Sequence, residues 1–311
     1  MNDTEHPIYS VIRKDDSMLL RRTDLAVETL TPHVTLSGVT TRTRSRNGFA
    51  VTEVEISAET AAEKLGKPQG RYITIDLAPL TTREPEAFHN ACNALAAELS
   101  VLLSLPKNAP VLVVGLGNPA ITPDAVGPLA LGKTLVTRHL VSQLPEHFGG
   151  FRPVSAAAAG VLGTTGMESA EVTAALVAKT APAAVIVVDA LASRSVSRLC
   201  NTLQIANTGI TPGSGVGNHR GTLNWETLGV PVIAIGVPTV VDGGTLALDL
   251  LEEAGRRDLD PTSLGGIGGD LFVTPRDIDV RVADAAKVIG YGISLALNPH
   301  LTVEDIAGFL E

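Results

Sequence analysis

The sequence predicts an α/β fold: a doubly wound, mainly parallel sheet with helices on both faces and additional β-rich elements on its N-terminal side. Three observations lead there. Hydrophobic residues make up 44% of the 311 and aromatics only 3%, so the core is built from Ala, Val, Leu and Ile. Strands covered on both faces read as such aliphatic runs. Three of them, Pro110-Val-Leu-Val-Val-Gly115, Ala183 to Val188 and Pro231-Val-Ile-Ala-Ile-Gly236, recur along the chain. Helical patterns separate them, and strand alternating with helix is the signature of parallel crossovers.

Taken in order, residues 1–20 are polar and unpatterned and are expected to be a mobile N-terminal leader. Residues 21–311 form a single domain, of which 21–80 is its β-rich part. Phe49 to Ile56 and Tyr72 to Leu77 are strands by their β-branched content. Glu84 to Leu105 is a helix with Ala87, Ala91, Leu95 and Leu99 on one face. The first aliphatic run enters a Gly-rich turn, and a helix is expected from Ala125 to Ser142. Thr165-Gly-Met-Glu168 is a capping box for a helix to Lys179, stopped by Pro182. After the third run come Val237-Pro-Thr-Val-Val-Asp242, a helix near Thr245–Ala254 and an exposed loop from Gly255 to Gly269. Thr274-Pro-Arg-Asp277 caps a long helix to Leu297, and Thr302-Val-Glu-Asp305 caps a short last one.

A net charge of −9 argues against a direct grip on nucleic acid, which is driven by Lys and Arg. The N-terminus has no apolar signal region, and no stretch reaches the roughly 18 apolar residues of a membrane span. A cytoplasmic protein without a membrane partner is the expectation. Cys92 and Cys200 are far apart and outside any metal spacing, which suits two reduced thiols. Gly115-Leu-Gly-Asn-Pro-Ala120 formally fits a dinucleotide fingerprint, but Pro119 has no N–H to offer a phosphate. Gly213-Ser-Gly-Val-Gly-Asn218 has the composition of an anion-binding nest. Neither a phosphate-binding G-x-x-x-x-G-K-[ST] nor a nucleophilic G-x-S-x-G is present. Ser155, Ser193, Ser195 and Ser214 lack an evident His partner, and His89, His139 and His219 form no H-E-x-x-H. No metal site and no cofactor is expected.

The carboxylates hold more promise. Asp189 follows Ala184-Val-Ile-Val-Val188, and Asp124 follows the Gly-rich turn after the first strand. Both fall beyond the carboxyl ends of strands, where α/β sheets place their chemistry. Two carboxyls on neighbouring strands cannot both ionise cheaply, so they share a proton and can work as acid and base on a water. Asp124 reads equally as a helix cap and Asp189 as a turn acid bonded to amides. Asp242, after the third strand, is a possible third member or a cap.

Several segments together are similar to the germination protease family. They include Arg22-Thr-Asp-Leu-Ala-Val-Glu28, Val114-Gly-Leu-Gly-Asn118, Thr122-Pro-Asp-Ala-Val-Gly-Pro128, Leu135-Val-Thr-Arg-His-Leu140 and Arg152-Pro-Val-Ser-Ala156. Asp189-Ala-Leu-Ala-Ser-Arg-Ser195, Thr208 to Asn218 and Leu228 to Asp242 continue the match, which runs from about residue 21 to 297. The resemblance implies an aspartic-type endopeptidase that degrades small acid-soluble spore proteins during germination, inside the spore core. It implies a zymogen whose propeptide is removed, a homotetramer, and a phosphorylase/hydrolase-like fold similar to the hydrogenase-maturation proteases. It also places the family's two catalytic aspartates on Asp124 and Asp189. The alternatives are a metal-dependent maturation protease, with these two acids and a histidine on an ion, and a non-catalytic nucleotide-binding module.

Overall fold

The computed structural model describes residues 23–30, 36–216, 220–255 and 271–310. The leader expected at 1–20 and most of the loop expected at 255–269 lie outside the described residues. Four aliphatic strands run parallel in the order β5 (Val154–Gly160), β4 (Val111–Leu116), β6 (Ala184–Ala192), β8 (Val232–Asp242). Their residues alternate between two apolar layers. Val111, Val113, Ile186 and Val188 face one layer, while Leu112, Val114, Val185 and Val187 face the other. A strand covered on both sides has no polar face to show, which explains the uninterrupted aliphatic runs.

The β-rich N-terminal part does not form a separate body. Strands β1 (Val39–Arg46), β2 (Phe49–Ile56), β3 (Gly70–Asp76) and β7 (Thr202–Ala206) extend the same sheet antiparallel, in the order β1-β2-β3-β7-β8. A short strand β9 (Phe272–Val273) pairs with the far end of β8. Between β2 and β3 sits helix α1 (Glu59–Leu65), whose Ala61 and Ala62 pack with Val54, Ile56 and Tyr72.

Helices cover the parallel block from both sides, as the doubly wound expectation requires. On one side lie α2 (Ala87–Leu103), α3 (Val126–Leu131) and the long α6 (Ile278–Leu297). On the other lies α4 (Ser169–Thr180), with Ala170 and Leu176 against Leu112, Val114 and Val187. Helix α5 (Gly243–Glu253) follows β8, and α7 (Val303–Leu310) ends the described chain. Each large aliphatic side chain buried this way stabilises the fold by about 1.5–3 kcal/mol relative to an exposed one.

Three local expectations change. The helix expected over 125–142 stops at Leu131, because the next backbone groups find long-range partners. The Leu135 N–H donates to Ser294 Oγ on α6, and the Thr137 N–H donates to the Val154 carbonyl on β5. The cap of α4 sits three residues later than Thr165: Glu168 is the N-cap, and its N–H donates to the Glu171 carboxylate. The third aliphatic run and the Val237–Asp242 segment form one continuous strand of 11 residues. The last cap stands as expected, with the Thr302 N–H donating to Asp305 and the Asp305 N–H to Thr302 Oγ1.

Candidate active site

β4 continues into β5 on one side of it, while β6 returns on the other. The helices making these two crossovers, α3 and α4, lie on opposite faces of the sheet. The strand order therefore reverses between β4 and β6, and the crevice beyond their carboxyl ends is the place such sheets offer a ligand. Asp124 and Asp189 both lie there.

Asp189 is inside β6 and does not end it. β6 pairs with β4 only as far as Val188 opposite Gly115, whereas its pairing with β8 continues through Asp189 opposite Gly236 to Ala192. Asp189 is thus the first residue of β6 freed from β4, and it keeps a rigid strand on its other side. Its side chain is 6% exposed. Among the described residues, the Ala190 N–H donates to its Oδ1 at 2.9 Å. A buried carboxylate with so little compensation is costly to ionise. Burial first, then the charge of Asp124, then that of Asp24 push its pKa well above the usual carboxylate range.

Asp124 sits on the 3-10 turn Thr122–Asp124 just before α3. Its Oδ2 accepts the Asn118 N–H at 2.7 Å, so the Gly-rich turn after β4 spends that amide on an internal carboxylate. Two glycines make the approach possible. Gly117 has φ +106°, and a Cβ there would fall 1.9 Å from the Asp124 carbonyl oxygen. Gly127 of α3 lies against both strand ends: its Cβ would stand 2.3 Å from the Leu116 carbonyl oxygen and 2.6 Å from that of Val188. The half-buried Asp124 is also raised in pKa, by burial, against the Asn118 hydrogen bond and the positive charge of Arg220. Arg220 acts the same way on Asp189.

The other candidates separate from this pair. Asp242 caps α5: its Oδ1 accepts from the Thr245 N–H at 2.9 Å and the Thr245 hydroxyl at 3.1 Å. Ser214 donates to Asp24, and Ser193 donates to the Ser195 carbonyl. His89 is bonded to Glu304 at 3.0 Å on the far helical layer, His139 is exposed, and His219 lies outside the described residues. Cys92 and Cys200 are free and buried, and burial pushes both thiols up, that of Cys200 to about 12. Among the described residues no three His, Cys, Asp or Glu side chains are grouped as a metal site. None of the described helices is long and apolar enough to cross a membrane.

Two charged neighbours of the pair, Asp24 and Arg220, were not singled out from the sequence. Asp24 lies in the Arg22–Glu28 segment that resembles the family, and Arg220 follows the glycine run, yet neither has a local pattern that marks it.

Residues 21–253 match the family model described as "Germination protease". The chain belongs to the germination protease family. Germination proteases of Clostridium perfringens and Caldanaerobacter subterraneus are 42% and 43% identical to it, over 93% and 92% of this chain and 98% and 96% of theirs. That of Bacillus subtilis is 36% identical over 94% of this chain and 97% of its own. Membership in the family makes the chain a peptidase. A [NiFe] hydrogenase maturation protease from Thermococcus kodakarensis is 18% identical, covering 63% of this chain and 98% of its own, with a TM-score of 0.35. A likeness of that size carries no weight here.

Proposed function

We propose that the chain is an aspartic-type endopeptidase that initiates degradation of small acid-soluble spore proteins at germination. In this reading it is made as a zymogen, loses a leader within residues 1–20, and works as a homotetramer in the spore core. The observation that carries it is the buried Asp189 carboxyl, raised in pKa beside Asp124 at the point where the strand order reverses.

Two like charges at one site hold a proton between them over a range of pH. Asp189, the more buried, retains it; Asp124 is held by the Asn118 N–H as the readier base. Asp124 takes a proton from water as its oxygen bonds to the scissile carbonyl carbon. Asp189 donates a hydrogen bond to the carbonyl oxygen where negative charge develops. The proton on Asp124 then passes to the leaving nitrogen as the C–N bond breaks. Arg220 offsets part of the negative charge at the site.

The test is cleavage of a purified small acid-soluble spore protein by the full chain. Asp124→Asn and Asp189→Asn each lower kcat by about a hundred- to ten-thousand-fold, the usual weight of a positioned acid or base. Both variants keep the wild-type circular dichroism spectrum. Wild-type turnover in either one defeats the dyad.

A further inference from the structure

Asp24 lies outside the proposed pair, yet its carboxylate and backbone join three parts of the molecule that converge there. Its N–H donates to the Ala192 carbonyl at 2.9 Å, and the Ala192 N–H donates back to Asp24 Oδ2 at 2.8 Å. The Ser214 hydroxyl donates to Asp24 Oδ1 at 2.9 Å. Gly215 follows so closely that a Cβ there would stand 2.1 Å from Oδ2. The Asp24 carbonyl accepts from Lys67 Nζ and Gln204 Nε2, both at 3.1 Å, and Gln204 Oε1 accepts the Ala26 N–H at 2.8 Å. The segment before β1 is therefore fixed from two sides, and its acid is aimed at the end of β6 and the Ser214–Val216 turn.

Both of those attachments belong to elements of the proposed site. Ala192 is on the strand that carries Asp189, and Arg220, which follows the Ser214–Val216 turn in sequence, is among the charges acting on Asp189. We propose that Asp24 is a positioning residue for peptide cleavage, latching the Ser214–Val216 turn to the end of β6 and setting a fixed third carboxylate beside the dyad. The proposal rests on the reading of Asp124 and Asp189 as that dyad.

The charges around it are identifiable. Lys67, from the turn after α1, bonds the Asp24 carbonyl and feels the charges of both Asp24 and Glu28. Glu28 is engaged elsewhere, accepting the Arg194 and Ser195 N–H groups and pairing with Arg198. Asp189 faces Asp124 from the turn after β4, Asp24 from the N-terminal segment, and Arg220. A carboxylate at position 24 makes the last proton of the dyad harder to remove, because a like charge disfavours the doubly ionised state. Its removal accordingly moves the upper limb of the pH–rate profile to lower pH.

Three variants of the full chain, each incubated until activity is constant, separate the latch from the charge. Asp24→Asn retains an acceptor for the Ala192 N–H and gains an amide that can donate to the Ser214 oxygen. It keeps kcat/KM at the optimum within about three-fold, and its upper limb moves to lower pH. Ser214→Ala keeps the charge and releases the turn, so kcat/KM falls about ten-fold with the limb unmoved, as for loss of a hydrogen bond to a charged group. Asp24→Ala shows both effects. An upper limb unmoved in Asp24→Asn, or wild-type kcat/KM in Ser214→Ala, overturns the proposal. Should Asp24→Ala fail to fold, the other two variants still decide. Asp124→Asn and Asp189→Asn run in the same assay. If they remain active, the dyad itself falls; if they are silent while the Asp24 and Ser214 variants match wild type, only the latch falls.

Discussion

At position 189 a carboxyl group is held where water cannot solvate its charge, and the nearest charged side chains include two more acids. A carboxyl whose folded pKa lies above its unfolded value binds its proton more tightly in the folded state. Its contribution is fully present below the ordinary carboxylate range and is lost as pH rises through the raised folded value. Asp189→Asn removes that loss while leaving a side chain of the same shape. The variant therefore melts a few degrees higher than wild type at alkaline pH, and the gap closes on acidification toward the ordinary carboxylate range. Differential scanning calorimetry across pH reads this directly; a gap that is flat or grows toward acid refutes it. Stability given up at this residue is what a proton held above the ordinary carboxylate range requires, and the proposed chemistry uses that proton.

Among the elements, α3 does the positioning with only six residues. It reaches the strand ends because Gly127 has no side chain, and the turn before it brings Asp124 along. Gly127→Ala forces a methyl group into the Leu116 and Val188 carbonyls, so α3 must lift. It destabilises the protein by about 1–3 kcal/mol, the usual cost of overpacking. It also lowers kcat more than it raises KM, because Asp124 moves with the helix. Wild-type kcat in a folded Gly127→Ala protein contradicts this account of α3. A second element-level bond holds the antiparallel extension onto the helical layer. Glu98 of α2 has a fully buried side chain and pairs with Arg44 and Arg46 of the edge strand β1, at 2.5 and 3.0 Å. Arg44 also pairs with Glu53 on β2. Both arginines are about a third exposed, so Glu98→Ala costs less than a fully buried pair would, about 1–3 kcal/mol by urea unfolding. No change in the unfolding midpoint argues against it.

Over the whole molecule, the β-rich N-terminal part and the parallel block share one sheet, and the segment carrying Asp24 is bonded to β6 and β7 of that sheet. The zymogen reading gives a measurable expectation at this scale. Intact-mass spectrometry of the active enzyme shows loss of a leader ending within residues 1–20, and active protein that still carries Met1 counts against it. Asp24 lies beyond residues 1–20, so such a cut leaves it in the chain.

The sequence by itself determined the parts of this protein that depend on near neighbours. Aliphatic runs named β4, β6 and β8, because a strand buried on both faces must be apolar at every position. Thr302 and Asp305 marked a helix start, because a cap satisfies amides within one turn. That Asp124 and Asp189 follow two such aliphatic runs was legible for the same reason, and the run of family-like segments added the expected reaction class. Only the tertiary structure decided that Asp189 stands within β6 opposite Gly236, that the helix after Asp124 breaks at Leu131, and that Asp242 is occupied as a cap. It alone brought Asp24 to the end of β6, with Ala192 a separation of 168 positions away. Periodicity and capping reach only a few residues along the chain. Register, close approach at a glycine and the meeting of distant charges are set by packing across the sheet, and no local pattern records them.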